Sequence, residues 1–338
     1  MKITYLFGAG ASRNSLPIVS EIPDRVKGII TLLKSDNFAL SDTELYDDLE
    51  ILYNKKQIQY TLIDDLEWLL KNSENHASID TFAKKLYIRS QYEELDRLRA
   101  SFSVYLILEQ LSKKADNRYD SFFASVLNKN YADFPKNLRI LSWNYDFQFE
   151  KSFAEFTDQK DLYHNQKLLN CITKYSYNES RNDRFCLLKL NGTTNLLQDS
   201  GFRTFNFFNE LDNEITLSTL NTIIRNFAVL RYKKHNVFLG LSFAWERGGR
   251  VENDIILRSK NETADTEILI VIGYSFPYFN REIDREIINN MIDLKKVYFQ
   301  APDADILKER FLSIRNDLKQ EQLLSRTDVG QFLLPNEL

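Results

Sequence analysis

Apolar runs that do not alternate with polar residues predict buried strands along this chain. The first run covers residues 2–7, and later runs lie at 137–143, 185–190, 235–241, 267–273 and 296–300. Strands that are apolar on both faces are typical of parallel sheets covered by helices. A helical pattern at 279–294 separates the last two runs, which predicts a β-α-β unit. We therefore expect an α/β fold with a Rossmann-like doubly wound parallel sheet.

Between the first two predicted strands the pattern changes to a helical period. Apolar residues recur three and four positions apart over residues 42–53, 61–71, 79–89 and 93–113. Ser78 stands directly before the third of these segments, where a helix N-cap is expected. The pattern predicts a large all-helical insertion after the first strand. The expected organisation is a Rossmann-like domain of residues 1–20 and 131–302, a helical insertion domain of residues 21–130 and a helical C-terminal tail of residues 303–338.

Composition limits the class of partner and the cellular compartment. The 338 residues carry a formal net charge of -4, so no basic field favours direct nucleic-acid binding. The chain has neither an apolar run of about 18 residues nor a leader at Met1, so we expect no membrane contact and a cytoplasmic location. Cys171 and Cys186 are the two cysteines, which is typical of a reducing compartment and too few for a structural zinc site.

The first predicted strand runs directly into Gly8-Ala9-Gly10-Ala11-Ser12. Two glycines one residue apart let the backbone turn tightly and approach a pyrophosphate, whose charge suits bare amides and a helix N-terminus. Arg13 stands where the third glycine of the usual dinucleotide fingerprint falls. Taken alone, the pentapeptide is equally compatible with an ordinary strand-to-helix turn.

Three further motifs follow later predicted strands. They are Ser142-Trp143-Asn144-Tyr145-Asp146, Lys189-Leu190-Asn191-Gly192-Thr193 and Ile272-Gly273-Tyr274-Ser275-Phe276-Pro277. Each has a structural alternative, respectively an Asx turn, a hairpin dipeptide and simple chain punctuation. Ligands of open α/β sheets collect beyond the carboxyl ends of the strands, so the four motifs together favour a ligand site.

In this order the four motifs resemble the sirtuin-like NAD-binding family. The resemblance is closest to its zinc-less branch in bacterial antiphage defence systems, most like the subunit paired with a HerA-type ATPase, and it extends from residue 3 to about residue 302. Ser12 comes one residue earlier than the family's serine. Deacetylating sirtuins carry a four-cysteine zinc ribbon that two cysteines cannot supply, which favours the NAD-hydrolysing branch. The resemblance implies a hydrolase that cleaves NAD⁺ to nicotinamide and ADP-ribose and depletes cellular NAD⁺ on infection.

The resemblance also implies roles for the motif residues, with NAD⁺ as substrate and no metal. Asn144 is expected beside the nicotinamide ribose, where it orients the ribose hydroxyls or an attacking water. Asp146 is expected to hydrogen-bond the nicotinamide or ribose side. The implied binding residues hold the phosphates or the adenosine half: Gly8, Ala9, Gly10, Ala11, Ser12, Gly273 and Ser275.

Asn191 departs from the family pattern, because the family carries its catalytic histidine at this position. An asparagine amide forms hydrogen bonds but does not accept a proton at neutral pH. Losing a positioned general base costs on the order of 10²–10⁴-fold in rate, so we expect this chain to bind NAD⁺ better than it hydrolyses it. Two explanations remain open: an introduced substitution that traps NAD⁺ or spares the host, and a naturally degenerate site.

Two other functions compete with the NADase hypothesis. The first is a catalytically inactive sensor or scaffold that binds NAD⁺ or ADP-ribose. The second is a DNA-processing component of the same complex, which the near-neutral charge disfavours.

An NADase that would kill its host needs a trigger, so a partner is implied. In similar systems this is a HerA-type DNA translocase or a short Argonaute, and the lack of an Argonaute-binding extension favours the translocase. The aromatic content of 13% and the helical insertion favour homo-oligomerisation.

The remaining polar candidates receive plain interpretations. Asp64, Asp65 and Glu67 are interpreted as a solvated acidic helix face and a poor metal site. The histidines are expected at the surface: His76, His164 and His235. A loose basic stretch is expected in a solvated loop: Arg247, Arg250 and Arg258.

Overall fold

The computed structural model describes residues 1–49, 51–174, 184–199, 204–211, 214–232, 237–246 and 254–338. His235, Arg247 and Arg250 lie outside these residues. The chain forms two compact units. Unit 1 comprises residues 1–14, 115–192 and 242–338, and unit 2 comprises residues 15–114 and 193–241.

The elements follow one another as short strands and longer helices. The strands are β1 (Ile3–Phe7), β2 (Leu138–Ser142), β3 (Cys171–Ile172), β4 (Cys186–Lys189), β5 (Gly192–Asp199), β6 (Thr204–Asn206), β7 (Val237–Leu241), β8 (Ile268–Ile272), β9 (Lys296–Gln300) and β10 (Leu323–Arg326). The helices are α1 (Ile22–Leu33), α2 (Lys55–Asn75), α3 (Ile79–Ile88), α4 (Tyr92–Leu111), α5 (Asn117–Val126), α6 (Gln148–Thr157), α7 (Leu162–Leu168), α8 (Leu217–Tyr232), α9 (Ile255–Thr263), α10 (Arg281–Ile288) and α11 (Ala304–Leu312). None of the described helices is both long and apolar enough to cross a membrane.

Unit 1 is built on a seven-stranded sheet in the order β10-β9-β8-β1-β2-β4-β3, and every pairing in it is parallel. From β1 the chain proceeds to β2 on one side and later returns to place β8 on the other side. This reversal makes β1 the topological switch point of a doubly wound sheet. The Rossmann-like α/β fold class expected from the sequence is confirmed.

The central strands are apolar on both faces because each face supports its own core. Tyr5 and Phe7 of β1 pack into one core with Phe122 of α5. Leu6, between them, belongs to a second core that includes Ile283 of α10. This two-sided burial explains why β1 shows no polar alternation in the sequence.

Unit 2 combines α1–α4 and α8 with a three-stranded sheet in the order β6-β5-β7, in which β5 and β6 are antiparallel. The sequence predicts that residues 235–241 join the parallel sheet, and this is wrong for the described strand β7. A short apolar run indicates a strand but does not specify the strand with which it pairs. The helical unit therefore draws on two segments of the chain, and α5 belongs to unit 1.

Several predicted helices differ in extent from the observed ones. Ser78 caps α3 by accepting the Thr81 amide at 3.1 Å, as expected. The described residues of 42–53 form turns instead of a helix, and α10 is shorter than the predicted segment 279–294. The tail after residue 302 is not purely helical, because it also supplies the edge strand β10.

Asp65 corrects the interpretation of a solvated acidic face. Its side chain is buried in unit 2, where Arg97 Nε lies 2.6 Å and Arg231 Nε lies 3.5 Å from its carboxylate oxygens. Burial raises the pKa of Asp65, and the two arginines oppose that rise. Asp65 is therefore an internal ion-pair residue of unit 2.

Candidate functional site

The four sequence motifs meet at the carboxyl edge of the sheet in unit 1. They follow β1, β2, β4 and β8, which are consecutive neighbours in the order β4-β2-β1-β8. Parallel strands end at the same edge, so the loops that follow these four strands lie side by side. The topological switch point at β1 lies in the middle of this group, where open α/β sheets place their ligands.

Residues 8–12, here called the glycine turn, pack directly against the loop after β8. Gly10 N donates to Gly273 O at 3.0 Å, and a Cβ on Gly10 would lie 2.8 Å from Gly273 Cα. Gly273 has φ +59°, and a Cβ on it would lie 2.4 Å from Ala11 N. A Cβ on Gly8 would lie 2.6 Å from Tyr274 Cα. The close approach of two backbones therefore explains these glycines before any ligand is considered.

The amides of the glycine turn are partly engaged within the protein. Gly10 N binds Gly273 O, and Ala11 N donates to Gly8 O at 2.9 Å. Ala9 differs from its buried neighbour Ala11 in that the residue is exposed to solvent. Phosphate binding through the Gly10 and Ala11 amides would have to exchange these internal hydrogen bonds.

Ser12, Asn144 and Asp146 come together in one buried hydrogen-bonded cluster. Ser12 Oγ donates to Asp146 Oδ2 at 2.8 Å, and Asn144 Nδ2 donates to Ser12 Oγ at 3.3 Å. The Tyr119 hydroxyl lies 2.9 Å from the same Oγ. The family resemblance implies that Ser12 holds the phosphates, whereas its hydroxyl here joins the residues expected on the nicotinamide side.

The main-chain amide of Gln148 and the ammonium group of Lys189 fix the position of Asp146. Its Oδ1 accepts the Gln148 amide at 3.1 Å at the start of α6, and Lys189 Nζ donates to its main-chain carbonyl. Lys189 also pairs with Glu150 at 2.9 Å, and both side chains are buried. Burial raises the pKa of Asp146, while Lys189 and the Gln148 amide oppose that rise. A carboxyl in this environment is a rigid hydrogen-bonding group.

Asn191 is buried and bridges two segments through its side-chain amide. Its Nδ2 donates to Trp143 O at 2.9 Å, and its Oδ1 accepts the Ala244 amide at 3.0 Å. The Ser242 amide donates to its main-chain carbonyl at 3.0 Å. In this chain Asn191 ties the loop after β2 to residues 242–244, and its amide offers no base.

The loop after β8 carries the residues predicted for the adenosine half. Ser275 is exposed, and Arg310 Nη1 of α11 donates to its carbonyl at 2.7 Å. Gly273 is half-buried against the glycine turn. The structure therefore brings the predicted binding residues to one edge, with Ser275 at its exposed side.

Tyr274 links this loop to a buried carboxyl that sequence reasoning missed. Its ring stacks on Trp143 with centroids 5.6 Å apart, and its hydroxyl donates to Asp284 Oδ2 at 2.9 Å. Asn280 Nδ2 donates to the same hydroxyl at 3.2 Å. Burial raises the pKa of Asp284 to about 8, although the hydrogen bond from Tyr274 lowers it. A signal in the sequence was the helical spacing, because Asp284 precedes Ile287 and Ile288 by three and four positions and so shares their apolar face.

Asp284 is expected to make stability depend on pH. Between about pH 4 and pH 8 the folded protein holds a proton that the unfolded chain releases. The free energy of unfolding then falls by up to about 1.4 kcal/mol per pH unit as pH rises. Asp284→Asn keeps an acceptor for Tyr274 and removes the titration. The free energy of unfolding of the variant, relative to that of the unaltered protein, should therefore rise from pH 5 to pH 8. Thermal unfolding of both proteins across this range measures the difference.

The control for this pH series is Asp24→Asn, which alters an exposed aspartate of α1. For this variant, the plot of the free energy of unfolding against pH should stay parallel to that of the unaltered protein. Parallel curves for Asp284→Asn as well would show that Asp284 is ionised in the folded state.

The other titratable candidates do not join the cluster. His76 Nδ1 lies 2.8 Å from Asn72 O at the end of α2, and His164 is exposed on α7. Cys171 and Cys186 are buried thiols, and burial raises the pKa of Cys186 to about 12. Among the residues the structure describes, no group of three or more histidine, cysteine or acidic side chains could hold a metal ion.

No protein-family model matches the chain, and no curated protein matches it significantly.

Proposed function

We propose that this chain binds NAD⁺ at the carboxyl edge of its parallel sheet and belongs to an NAD⁺ glycohydrolase. The observation that carries the proposal is the buried cluster of Ser12, Asn144 and Asp146 beside the switch point at β1. Dinucleotides bind at this position in doubly wound sheets. The cluster adds side chains that form hydrogen bonds with hydroxyl groups and water.

The reaction is hydrolysis of the bond between ribose C1′ and the nicotinamide nitrogen. Water supplies the oxygen, nicotinamide leaves with the electron pair of the broken bond, and the products are ADP-ribose and a proton. An oxocarbenium-like transition state gains from a positioned water and a base, and Asn144 is the residue that would orient the water or the ribose hydroxyls. Ser12 restricts the orientation of the Asn144 amide by accepting from its Nδ2.

Asp146 would hold the nicotinamide side of the site in place. Its carboxylate is fixed by Ser12 and by the first amide of α6, and its carbonyl is fixed by Lys189. A group that is already oriented loses little entropy when a ligand binds. We therefore assign Asp146 to binding and orientation.

The biological role in this proposal is NAD⁺ depletion during phage infection. The order of the four motifs supports it through their resemblance to zinc-less sirtuin-like defence proteins. The same resemblance supports a cytoplasmic homo-oligomer whose activity a HerA-type ATPase controls. Asn191 stands at the family's histidine position, so hydrolysis by this chain would be impaired.

A second candidate function is an NAD⁺ or ADP-ribose sensor without catalysis. The observation that favours it is the pair of main-chain hydrogen bonds made by Asn191. An amide that satisfies one carbonyl and one amide suits a structural role and needs no histidine. Nicotinamide release by Asn191→His separates the two functions, because an impaired hydrolase should regain this activity and a sensor should not.

Replacing Asn144 with alanine tests the site itself. We expect the affinity for NAD⁺ and ADP-ribose, measured by calorimetry, to fall by about tenfold or more, because a hydrogen-bonding side chain of the site is lost. The matched control is Asn165→Ala in α7, which also removes a buried side-chain amide. The Asn165 amide lies outside the site and donates to the main-chain carbonyls of Gln159 and Asp161. That variant should lose stability and keep its affinity. Equal affinities for Asn144→Ala and the unaltered protein, or no binding by the latter, would refute the proposed site.

A further inference from the structure

Arg118, at the start of α5, holds the carbonyl side of the glycine turn. Its side chain is buried, and its Nη2 donates to Gly10 O at 3.2 Å and to Ala11 O at 2.9 Å. These two carbonyls belong to the short helical turn Ala9–Ser12. The guanidinium therefore holds two carbonyls of the turn by charge-assisted hydrogen bonds.

Asp116 keeps the arginine in one orientation. Its carboxylate accepts from Arg118 Nη2 at 2.7 Å and from Arg118 Nε at 3.0 Å. The same carboxylate accepts the amide of Asn14 at 3.2 Å, just beyond the glycine turn. A two-pronged pair between a planar guanidinium and a carboxylate fixes direction as well as distance.

The segment Asp328–Leu333, here called the 328–333 segment, covers the other side of Arg118. Val329 O accepts from Arg118 Nη1 at 3.3 Å, and the guanidinium carbon lies 5.1 Å from the centre of the Phe332 ring. This ring also lies 5.2 Å from the ring of Phe7 and 4.9 Å from the ring of Tyr119, measured between centroids. Phe7 precedes the glycine turn, and Tyr119 contacts Ser12 within it.

Gln300, at the end of β9, anchors the 328–333 segment to the sheet. Its Nε2 donates to Asp328 O at 2.7 Å and to Gln331 O at 2.6 Å, and its Oε1 accepts the Leu333 amide at 2.9 Å. The segment thus has a fixed path although it has no regular secondary structure over these residues. It is attached to the sheet on one side and to Arg118 on the other.

We propose that Arg118 is a positioning residue of the candidate site and that the 328–333 segment holds it in place. Arg118 fixes the carbonyls of the glycine turn, and this sets the direction of the turn's exposed face and of the Ser12 hydroxyl. Loosening the segment loosens the turn, even though the segment is not part of the four motifs. The consequence for ligand affinity rests on the proposed NAD⁺ site, whereas the consequence for the turn does not.

The test compares two phenylalanines that are equally buried in the same core. Phe332 and Phe185 are each 5% exposed, but Phe185 precedes β4 at the opposite, amino edge of the sheet. Phe332→Leu removes the ring from Arg118 and keeps an apolar side chain, and Phe185→Leu is the matched control. Thermal unfolding of both variants measures the general cost of losing a core ring.

Amide hydrogen exchange of the ligand-free protein measures how often the glycine turn opens, without depending on a ligand. We expect the peptide covering residues 6–13 to exchange about tenfold faster in Phe332→Leu, which corresponds to roughly 1.4 kcal/mol of local opening. The same peptide should be unchanged in Phe185→Leu. Equal exchange in the two variants would overturn the positioning role, because losing either ring of the shared core would then affect the turn alike.

Ligand affinity is measured with ADP-ribose by calorimetry on the same proteins. Phe332→Leu should bind about tenfold more weakly than Phe185→Leu. Equal affinity would overturn the proposed link between the segment and the ligand site. If the unaltered protein binds no ADP-ribose, the proposed function fails, and the exchange experiment still decides the positioning role.

Arg118→Lys provides a second variant that retains the charge beside Asp116. A lysine ammonium cannot reproduce the planar fork that reaches Gly10 O, Ala11 O and Asp116 together. We expect the same rise in exchange at residues 6–13 as in Phe332→Leu. Unchanged exchange in Arg118→Lys would show that the guanidinium does not hold the turn.

Discussion

Replacing Asn191 with histidine is expected to raise nicotinamide release from NAD⁺ by on the order of 10²–10⁴-fold, the usual contribution of a positioned general base. Asn191 follows β4 at the carboxyl edge, where the loop after β2 carries Asn144 and Asp146. The asparagine amide cannot accept the proton that hydrolysis releases, whereas a neutral imidazole can. The substitution therefore supplies the single chemical group that the family resemblance implies and this chain lacks.

The side chain of Asn191 is buried and makes two main-chain hydrogen bonds that an imidazole ring would replace. The amide satisfies one acceptor, Trp143 O, and one donor, the Ala244 amide. A neutral imidazole has one donor, which can replace the bond to Trp143 O, and one acceptor nitrogen. That nitrogen can serve as the base only when the Ala244 amide gives up its bond to residue 191. We expect a modest loss of stability and a folded variant.

Nicotinamide release by Asn191→His should rise with pH through about 6.5, because the base is the neutral imidazole. The assay is run on the chain alone and with a co-purified HerA-type ATPase. The control adds Asn144→Ala to Asn191→His, and this double variant should lose the gained activity. If Asn191→His binds NAD⁺ and releases no nicotinamide with or without the ATPase, the sensor function replaces the enzyme.

Gly273→Ala is expected to lower the free energy of unfolding by about 3 kcal/mol or more. The residue has φ +59°, a conformation that costs a non-glycine residue roughly 1–2 kcal/mol. Its new Cβ would also lie 2.4 Å from Ala11 N and Gly10 C, which are backbone atoms with little freedom to move. Forced packing of this kind adds about 1–3 kcal/mol. Guanidinium unfolding at pH 7 measures the loss.

Gly28→Ala is the matched control for this substitution. Gly28 lies within helix α1, and nothing lies within 4 Å of the Cβ that the alanine would add. There the change should stabilise the protein by about 0.5–1 kcal/mol, because alanine favours a helix over glycine. If Gly273→Ala lowers the free energy of unfolding no more than an ordinary surface substitution does, the glycine turn and the loop after β8 can separate at little cost.

The central strands were predictable because local composition determines them. β1, β2 and β8 are buried on both faces, so each appears in the sequence as a mostly apolar run without regular polar alternation. Their strong signal comes from burial in the middle of the sheet. β7 has the same kind of run and yet lies in the other sheet, and the edge strand β10 is only partly buried. Strand pairing depends on contacts between distant residues, which a local pattern does not contain.

The position of the candidate site was also predictable, since each motif directly follows a strand of the parallel sheet. The contacts within it were not. Ser12 meets Asp146 across 134 residues of chain, and Arg118 meets Ala11 across 107. The neighbouring residues in the sequence do not predict either contact. A serine or an arginine has the same local sequence whether its side chain is solvated or hydrogen-bonded to a distant residue.

The sequence by itself therefore determined the α/β class, the buried strands and the residues that follow them, because burial and turn chemistry act on neighbouring positions. Tertiary structure alone decided which strands pair, that the glycines serve backbone packing, and that Asn191 bridges two segments. It also placed Asp65 and Asp284 in the interior. These features depend on which distant groups share one desolvated space, and hydrogen bonding and desolvation act only once the chain has brought those groups together.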